Sequence, residues 1–290
     1  MESLIEIDRL TGSVFLLRDL IQERFGLSLD DDNGTRLITN MFASRLKQSD
    51  CKSFLEYYYL LMSDQRAAEG EWRYMMATLT KSKSSFFRHA DAMRVLVDIA
   101  LPQLFSTLRA EPIRIWSASC ARGEEPLSIA IALNEAGWFE RAQIEIHASD
   151  VSYAVIETAM QGVYGEEKFR NLDIGLRDKY FMREQDGWQV APELRKMIKW
   201  KVANLMDQNE VADMARSHII FCRNVFIYFT GHAICKTLAS FARSMPAGAY
   251  LFSDSGEFFT TLVSSSNFFE PLGTDVSGMW IRRDNNHSKN

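Results

Sequence analysis

Two glutamates, Glu124 and Glu125, directly follow a run of small residues: Ser117, Ala118, Ser119, Cys120, Ala121 and Gly123. Ahead of that run, Ile113 to Trp116 is apolar and reads as a buried strand. Glu124-Glu125-Pro126 reads as the start of a helix, because acids and an early proline suit a helix N-terminus. Small side chains between a strand and a helix let a ligand come close to the backbone. The spacing is not Gly-x-Gly-x-x-Gly, and two carboxylates stand where a pyrophosphate would lie. The loop therefore suits a ligand with positive charge, such as a nucleoside carrying a cationic tail. A plain strand–helix connection, its glutamates merely favouring the helix end, is the alternative these residues leave open.

Three further groups fall where such a ligand could meet them. Asp150 follows the strand-like stretch Gln143 to Ala148, about 30 residues after the loop. At the carboxyl end of a strand it could accept hydrogen bonds from two ribose hydroxyls, or it could cap the helix expected from Tyr153 to Met160. Arg88, after Phe86 and Phe87, could pair with a ligand carboxylate or stay solvated. Arg223 and Asn224 follow the strand-like His218 to Cys222, where a cleft should open, and Tyr228 would line the same cleft. S-adenosylmethionine, with its ammonium and sulfonium, is the leading ligand for this set.

The elements that must position these residues divide into two regions. Up to about residue 80 the pattern is helical, with helices expected around Phe15 to Phe25, Thr35 to Lys47, Lys52 to Ser63 and Ala67 to Leu79. A long helix is expected over Phe86 to Leu108. Strand and helix signals then alternate, which implies a parallel sheet with covering helices. The strands are Ile113 to Trp116, Gln143 to Ala148, His218 to Cys222 and Ala249 to Phe252; the helices are Glu124 to Ala136, Tyr153 to Met160 and His232 to Ser244. Gly187 to Val190 and Ile198 to Val202 read as a short antiparallel insert, at about 182–203. Asn267 to Arg283 reads as a final strand pair, followed by a polar tail.

Composition bounds the function. Across 290 residues the hydrophobic content is 47% and the charged content 24%, ordinary for a globular chain of one large or two small domains. A net charge of -5 argues against a general nucleic-acid binder. Cys51, Cys120, Cys222 and Cys235 lack metal-ligand spacing, as do the five histidines. Free thiols, no apolar run of membrane-spanning length and no signal-peptide pattern in MESLIEIDRL give the expectation of a cytoplasmic protein without membrane insertion. A monomer is the default.

Several motifs, in one order, carry a resemblance. They are SFFR (Ser85 to Arg88), IWSASCARGEEPLSIAI (Ile115 to Ile131), ASD (Ala148 to Asp150), GVY (Gly162 to Tyr164), YF (Tyr180-Phe181), ANL (Ala203 to Leu205) and IFCRNVFIYF (Ile220 to Phe229). The chain resembles the CheR-type chemotaxis methyltransferases, which methylate glutamate side chains of chemoreceptors using S-adenosylmethionine. The resemblance implies an α/β fold: an all-helical N-terminal domain (1–80) and a Rossmann-like methyltransferase domain (81–290) with a small antiparallel β insert. It implies that Arg88 and Glu125 hold the amino-acid end of the cofactor, Asp150 the ribose, and Asn204 and Leu205 the adenine. Arg223 and Asn224 would complete the cofactor wall, Ser119 would offer backbone, and Tyr228 would lie near the transferred methyl. Arg88 and Tyr228 would orient the reaction. Ser82 and Ser84 stand where the family has Asn-x-Thr, and would keep its hydroxyls at the cofactor. Arg122 replaces a threonine, and Asp254-Ser255-Gly256-Glu257 replaces Gly-His-Ser-Glu. The implied product is S-adenosylhomocysteine, and the implied partner is the helical cytoplasmic region of a chemoreceptor or a receptor-like signalling protein. Only Arg36, Arg45 and Lys47 are basic on the second helix, which in the family often faces an acidic receptor helix. A different protein or small-acid acceptor, and a non-catalytic sensor of the cofactor, remain alternatives.

Overall fold

The computed structural model describes residues 2–46, 48–49, 51–63, 66–79, 84–108, 111–273 and 278–284, with main chain alone over 2–11. The chain forms two units. The first comprises Met1–Lys81 with Tyr228–Ile234, the second Ser82–Ile227 with Cys235–Asn290.

Among its described residues the first unit holds four helices, α1 (Glu2–Phe25), α2 (Asp32–Leu46), α3 (Phe54–Met62) and α4 (Arg66–Leu79). Leu17, Ile21, Ile38, Phe42, Tyr57 and Met75 are fully buried and form its core. The Arg45 guanidinium donates to both oxygens of Glu71 at 2.6 Å, and the Tyr57 hydroxyl donates to the same carboxylate. Arg45, one of the three cations counted on the second helix, is thus tied to an internal carboxylate. The segment after Ile227 adds an edge: Leu27 bridges Phe229, the Ser28 N–H donates to the Tyr228 carbonyl at 2.7 Å, and the Thr230 N–H donates to Gly26 at 2.8 Å.

The second unit opens with a turn at Phe86–His89 and then helix α5 (Ala90–Val95), a π-turn at Leu96–Ala100, and α6 (Leu101–Thr107). The expected single helix from Phe86 to Leu108 is therefore broken and starts later. Pro102 lacks an N–H, and the Leu101 N–H reaches back to the Leu96 carbonyl, widening the turn.

Among the described residues ten strands follow in chain order. They are β1 (Ile113–Ala118), β2 (Ile144–Asp150), β3 (Val163–Tyr164), β4 (Phe181–Glu184), β5 (Gly187–Val190), β6 (Ile198–Val202), β7 (Ile219–Cys222), β8 (Tyr250–Ser253), β9 (Phe269–Pro271) and β10 (Met279–Arg282). Seven make one sheet in the order β6-β2-β1-β7-β8-β10-β9, parallel except for the pairings of β10. This is the Rossmann-like layout expected. The other three make a small antiparallel sheet, β3-β5-β4.

One expectation is corrected. Ile198–Val202 does not belong to the insert: β6 pairs in parallel with β2, from Ile146↔Ile198 to Asp150↔Val202. Its alternation Ile-Lys-Trp-Lys-Val is that of an edge strand with one solvated face, a pattern that does not reveal the sheet it joins. The insert instead recruits Val163-Tyr164 and ends at Val190. Between the sheet and its helices the core is closed by stacked Phe221 and Phe252, 4.3 Å apart, and by Trp116, whose Nε1–H donates to Ser149 Oγ at 3.0 Å.

Candidate functional site

The chain runs β1, β2, β6 outward and then returns to place β7 on the other side of β1. The carboxyl ends of β1 and β7 therefore flank a switch point, where open α/β sheets bind ligands. The motifs that carry chemistry end there.

The loop after β1 is held in a sparsely populated conformation. Ser119 and Ala121 have φ of 61° and 52°, and Gly123 has φ of +91°. A Cβ on Gly123 would also lie 2.7 Å from the Trp200 ring, so glycine is required twice over. Of the five positive-φ non-glycine residues described, four (Phe87, Ser119, Ala121 and Asn224) lie on the motif loops. Each such residue costs on the order of 1–3 kcal/mol, and strain of this kind gathers at binding sites.

Asp150, at the end of β2, holds this loop. Its Oδ2 accepts the Ala121 N–H at 3.0 Å and faces Ser119 Oγ at 3.5 Å, while Oδ1 accepts the Ser152 N–H at 3.0 Å. Ser152 occupies the N-cap position of the helix from Tyr153, without a side-chain cap bond, so Asp150 is not the N-cap that the sequence left open. Burial raises its pKa, against the backbone N–H groups that lower it.

The glutamate pair divides. Glu124 is fully buried, with Lys168 Nζ 3.0 Å from its carboxylate, and Lys168 also donates to the Ser84 carbonyl at 3.1 Å. Glu125 accepts the Ser117 hydroxyl at 2.6 Å. Burial pushes its pKa up to about 7, while the Ser117 hydroxyl, Arg223 and Arg88 oppose the shift. The positive charges of Arg88 and Arg223 thus reach Glu125. Their motif is anchored: Phe86 packs against Tyr164, Phe169 and Phe181, and the Phe87 N–H donates to Ser128 Oγ at 3.0 Å.

After β7, Arg223 and Asn224 meet a histidine that the sequence reading did not single out. Arg223 Nη2 lies 3.2 Å from His89 Nδ1, and His89 Nε2 lies 3.0 Å from Asn224 Oδ1. Asp254, at the end of β8, accepts the Asn224 N–H and is turned toward those of Val225 and Phe226. Its position directly after a central strand was the signal available for it; His89 had none beyond adjacency to Arg88. Arg223 Nε and Nη1 and Asp254 Oδ2 are buried without a hydrogen-bond partner among the described residues. Unpaired donors on a buried cation are costly unless a ligand meets them. Carboxylates for an ammonium and hydroxyls, beside a guanidinium with free N–H groups for a carboxylate, match a nucleoside with an amino-acid tail.

The structure brings together Arg88, Ser119, Glu125, Asp150, Arg223 and Asn224. Asn204 and Leu205 follow β6, where the Ala203 N–H donates to the carbonyl of Asp150, at the end of β2, at 2.9 Å. Leu205 is buried, and Asn204 Oδ1 accepts the Met206 N–H at 3.0 Å. Ser84 is half-buried at the Lys168 contact; Ser82 lies outside the described residues. Tyr228 groups with the first unit, and the residue is 54% exposed. No described helix is long and apolar enough to cross a membrane, and no group of described His, Cys, Asp and Glu could hold a metal ion.

Residues 82–274 match the family described as CheR methyltransferase, SAM binding domain. Chemotaxis protein methyltransferase of Escherichia coli is 31% identical over 85% of this chain and 84% of its own. Chemotaxis protein methyltransferase 2 of Vibrio cholerae is 29% identical over 85% of each. Probable biofilm formation methyltransferase WspC of Pseudomonas aeruginosa is 29% identical over 91% of this chain, which spans 60% of the length of that relative. The family match covers the whole switch-point site and most of the second unit: the chain belongs to the CheR methyltransferase family, whose cofactor is S-adenosylmethionine.

Proposed function

We propose that this protein transfers the methyl group of S-adenosylmethionine to glutamate side-chain carboxylates of a helical signalling receptor. The observation that carries the reading is the polar set at the switch point, buried Asp150 and half-buried Glu125 with the unpaired buried N–H groups of Arg223. The names of the Escherichia coli and Vibrio cholerae relatives point to methyl transfer in chemotaxis, and the glutamate acceptor follows from the family resemblance.

The cofactor supplies a methyl group on a positively charged sulfur that leaves as a neutral thioether. Asp150 keeps acceptor capacity on each oxygen beyond its backbone bonds and takes the ribose hydroxyls. Glu125 faces the ammonium; Arg88 and Arg223 face the carboxylate. Asn204 and Leu205 border the base, and Ser119 presents its backbone. A glutamate acceptor, with an ordinary pKa of about 4.3, is already ionised at neutral pH. No residue need remove or donate a proton, and the chain's contribution is in-line positioning and exclusion of water. By the family resemblance, Arg88 and Tyr228 would orient the acceptor and the sulfonium.

The WspC relative favours a second reading, the same reaction on a receptor of another signalling array. Tritiated cofactor and a panel of receptor membranes test both. A methyl ester releases volatile methanol in mild alkali. Base-stable label would overturn the carboxyl reading, and the labelled receptor selects between the arrays.

A further inference from the structure

The imidazole of His89 touches both polar residues of the loop after β7. An arginine can only donate, so the 3.2 Å approach of Arg223 Nη2 requires a lone pair on His89 Nδ1. A neutral ring with Nδ1 unprotonated carries its proton on Nε2, which donates to Asn224 Oδ1 at 3.0 Å. That bond turns the Asn224 amide so that Nδ2 is left to face other partners. It also holds the guanidinium by one corner, leaving Nε and Nη1 as its unpaired buried donors. Asp254 holds the backbone of the same turn, where Asn224 sits at φ of 59°. Side chains and backbone are thus fixed from two different elements.

We propose that His89 is a positioning residue of the cofactor site: as the neutral Nε2–H tautomer it orients the Arg223 guanidinium and the Asn224 amide, and its protonation releases Arg223. The inference rests on the reading of Arg223 and Asn224 as cofactor wall. Protonation would set Nδ1–H against an arginine N–H. Burial keeps the ring neutral, with the charges of Arg223 and Arg88 acting in the same direction; the Asn224 bond and Asp91, on α5, act against them.

Two readouts test it. Ring 15N spectra of the intact protein at pH 7.5, assigned by the signal lost in His89→Gln, should show the neutral Nε2–H tautomer; an Nδ1–H or charged ring overturns the proposal. Calorimetric titration with S-adenosylhomocysteine at pH 7.5 and 5.5 gives the second. His89→Ala should bind about tenfold more weakly at pH 7.5, the scale of one charge-assisted hydrogen bond. His89→Gln, whose amide can accept from Arg223 and donate to Asn224, should restore binding and lose less affinity at pH 5.5 than the wild type. Glu125 is present in both wild type and Gln variant, so the difference in their pH dependence arises from His89, directly or through Arg223. Wild-type affinity and pH dependence in His89→Ala would overturn the proposal; should that variant not fold, the Gln comparison and the tautomer decide. Asp150→Ala is the control for the underlying reading. If it weakens binding while the His89 variants do not, only the positioning role fails; if it leaves binding unchanged, the cofactor-wall reading fails with it.

Discussion

Glu125 and Asp150 show how one environment can give two carboxylates different work. Both are raised by burial, but Asp150 is offset by several backbone N–H groups, whereas Glu125 has one hydroxyl and two arginines, and reaches about 7. A cationic ligand favours the ionised form of Glu125, so binding should expel a proton. Titration near pH 7 in buffers of different ionisation enthalpy should show proton release that is lost in Glu125→Gln. The sign of the stability effect is also set. A carboxyl whose folded pKa exceeds its unfolded value stabilises the fold most below about pH 4.5, and that contribution is lost as pH rises through about 7. Glu125→Gln should therefore raise the melting temperature relative to wild type at pH 8, with the gain vanishing toward pH 4.5. Arg88 and Tyr228 should differ in kind. Arg88→Ala should weaken S-adenosylhomocysteine about tenfold and lower turnover with it. Tyr228→Phe should lower turnover while leaving that affinity within about twofold, because the role the resemblance implies for Tyr228 is near the transferred methyl and not on the amino-acid tail. Matching affinity losses would contradict the division.

At the scale of elements, what was legible in the sequence followed local chemistry. Ile113 to Trp116, the small residues after it and Pro126 locate β1, the loop and the next helix, because burial, backbone approach and helix entry each act within a few residues. Asp150 was likewise placed at a strand end, though its bond to Ala121 crosses 29 residues and only the fold shows it. What was missed is non-local. β6 joins the main sheet through a register that its alternation cannot specify, and His89 matters only because a loop 134 residues later folds beside it. The strain in the loop after β1 was also illegible, since Ser119 and Ala121 are not residues that favour positive φ. It leads to a prediction. Ala121→Gly removes a left-handed penalty of about 1–2 kcal/mol and adds a smaller unfolded-chain entropy, for a net gain of about 0.5–1 kcal/mol. Urea unfolding of the variant should show a higher midpoint; a lower one would mean that the Cβ contributes packing.

Across the whole molecule the chain leaves the second unit at Ile227, gives Tyr228–Ile234 to the first, and re-enters at Cys235. Opening the first unit must therefore free Thr230, whose N–H is held by Gly26, and Ser28, held by Tyr228. The weak point of that unit is its buried ionic group. Glu71 is held below the usual carboxylate range, chiefly by its bonds from Arg45, so the stability it contributes is present above pH 4.5 and lost as pH falls through its lower folded value. Glu71→Gln leaves Arg45 without its carboxylate and should cost the first unit about 2–3 kcal/mol at pH 7. Amide hydrogen exchange then reports which segments open together. In Glu71→Gln, the Thr230 and Ser28 amides should exchange faster along with those of α1, although Thr230 is far from Glu71 in sequence. The Ala121 and Ser152 amides, closed by Asp150 in the second unit, should keep their wild-type rates. If Thr230 stays protected while α1 opens, the 228–234 segment draws its stability from the second unit, and the division of the chain at Ile227 is wrong.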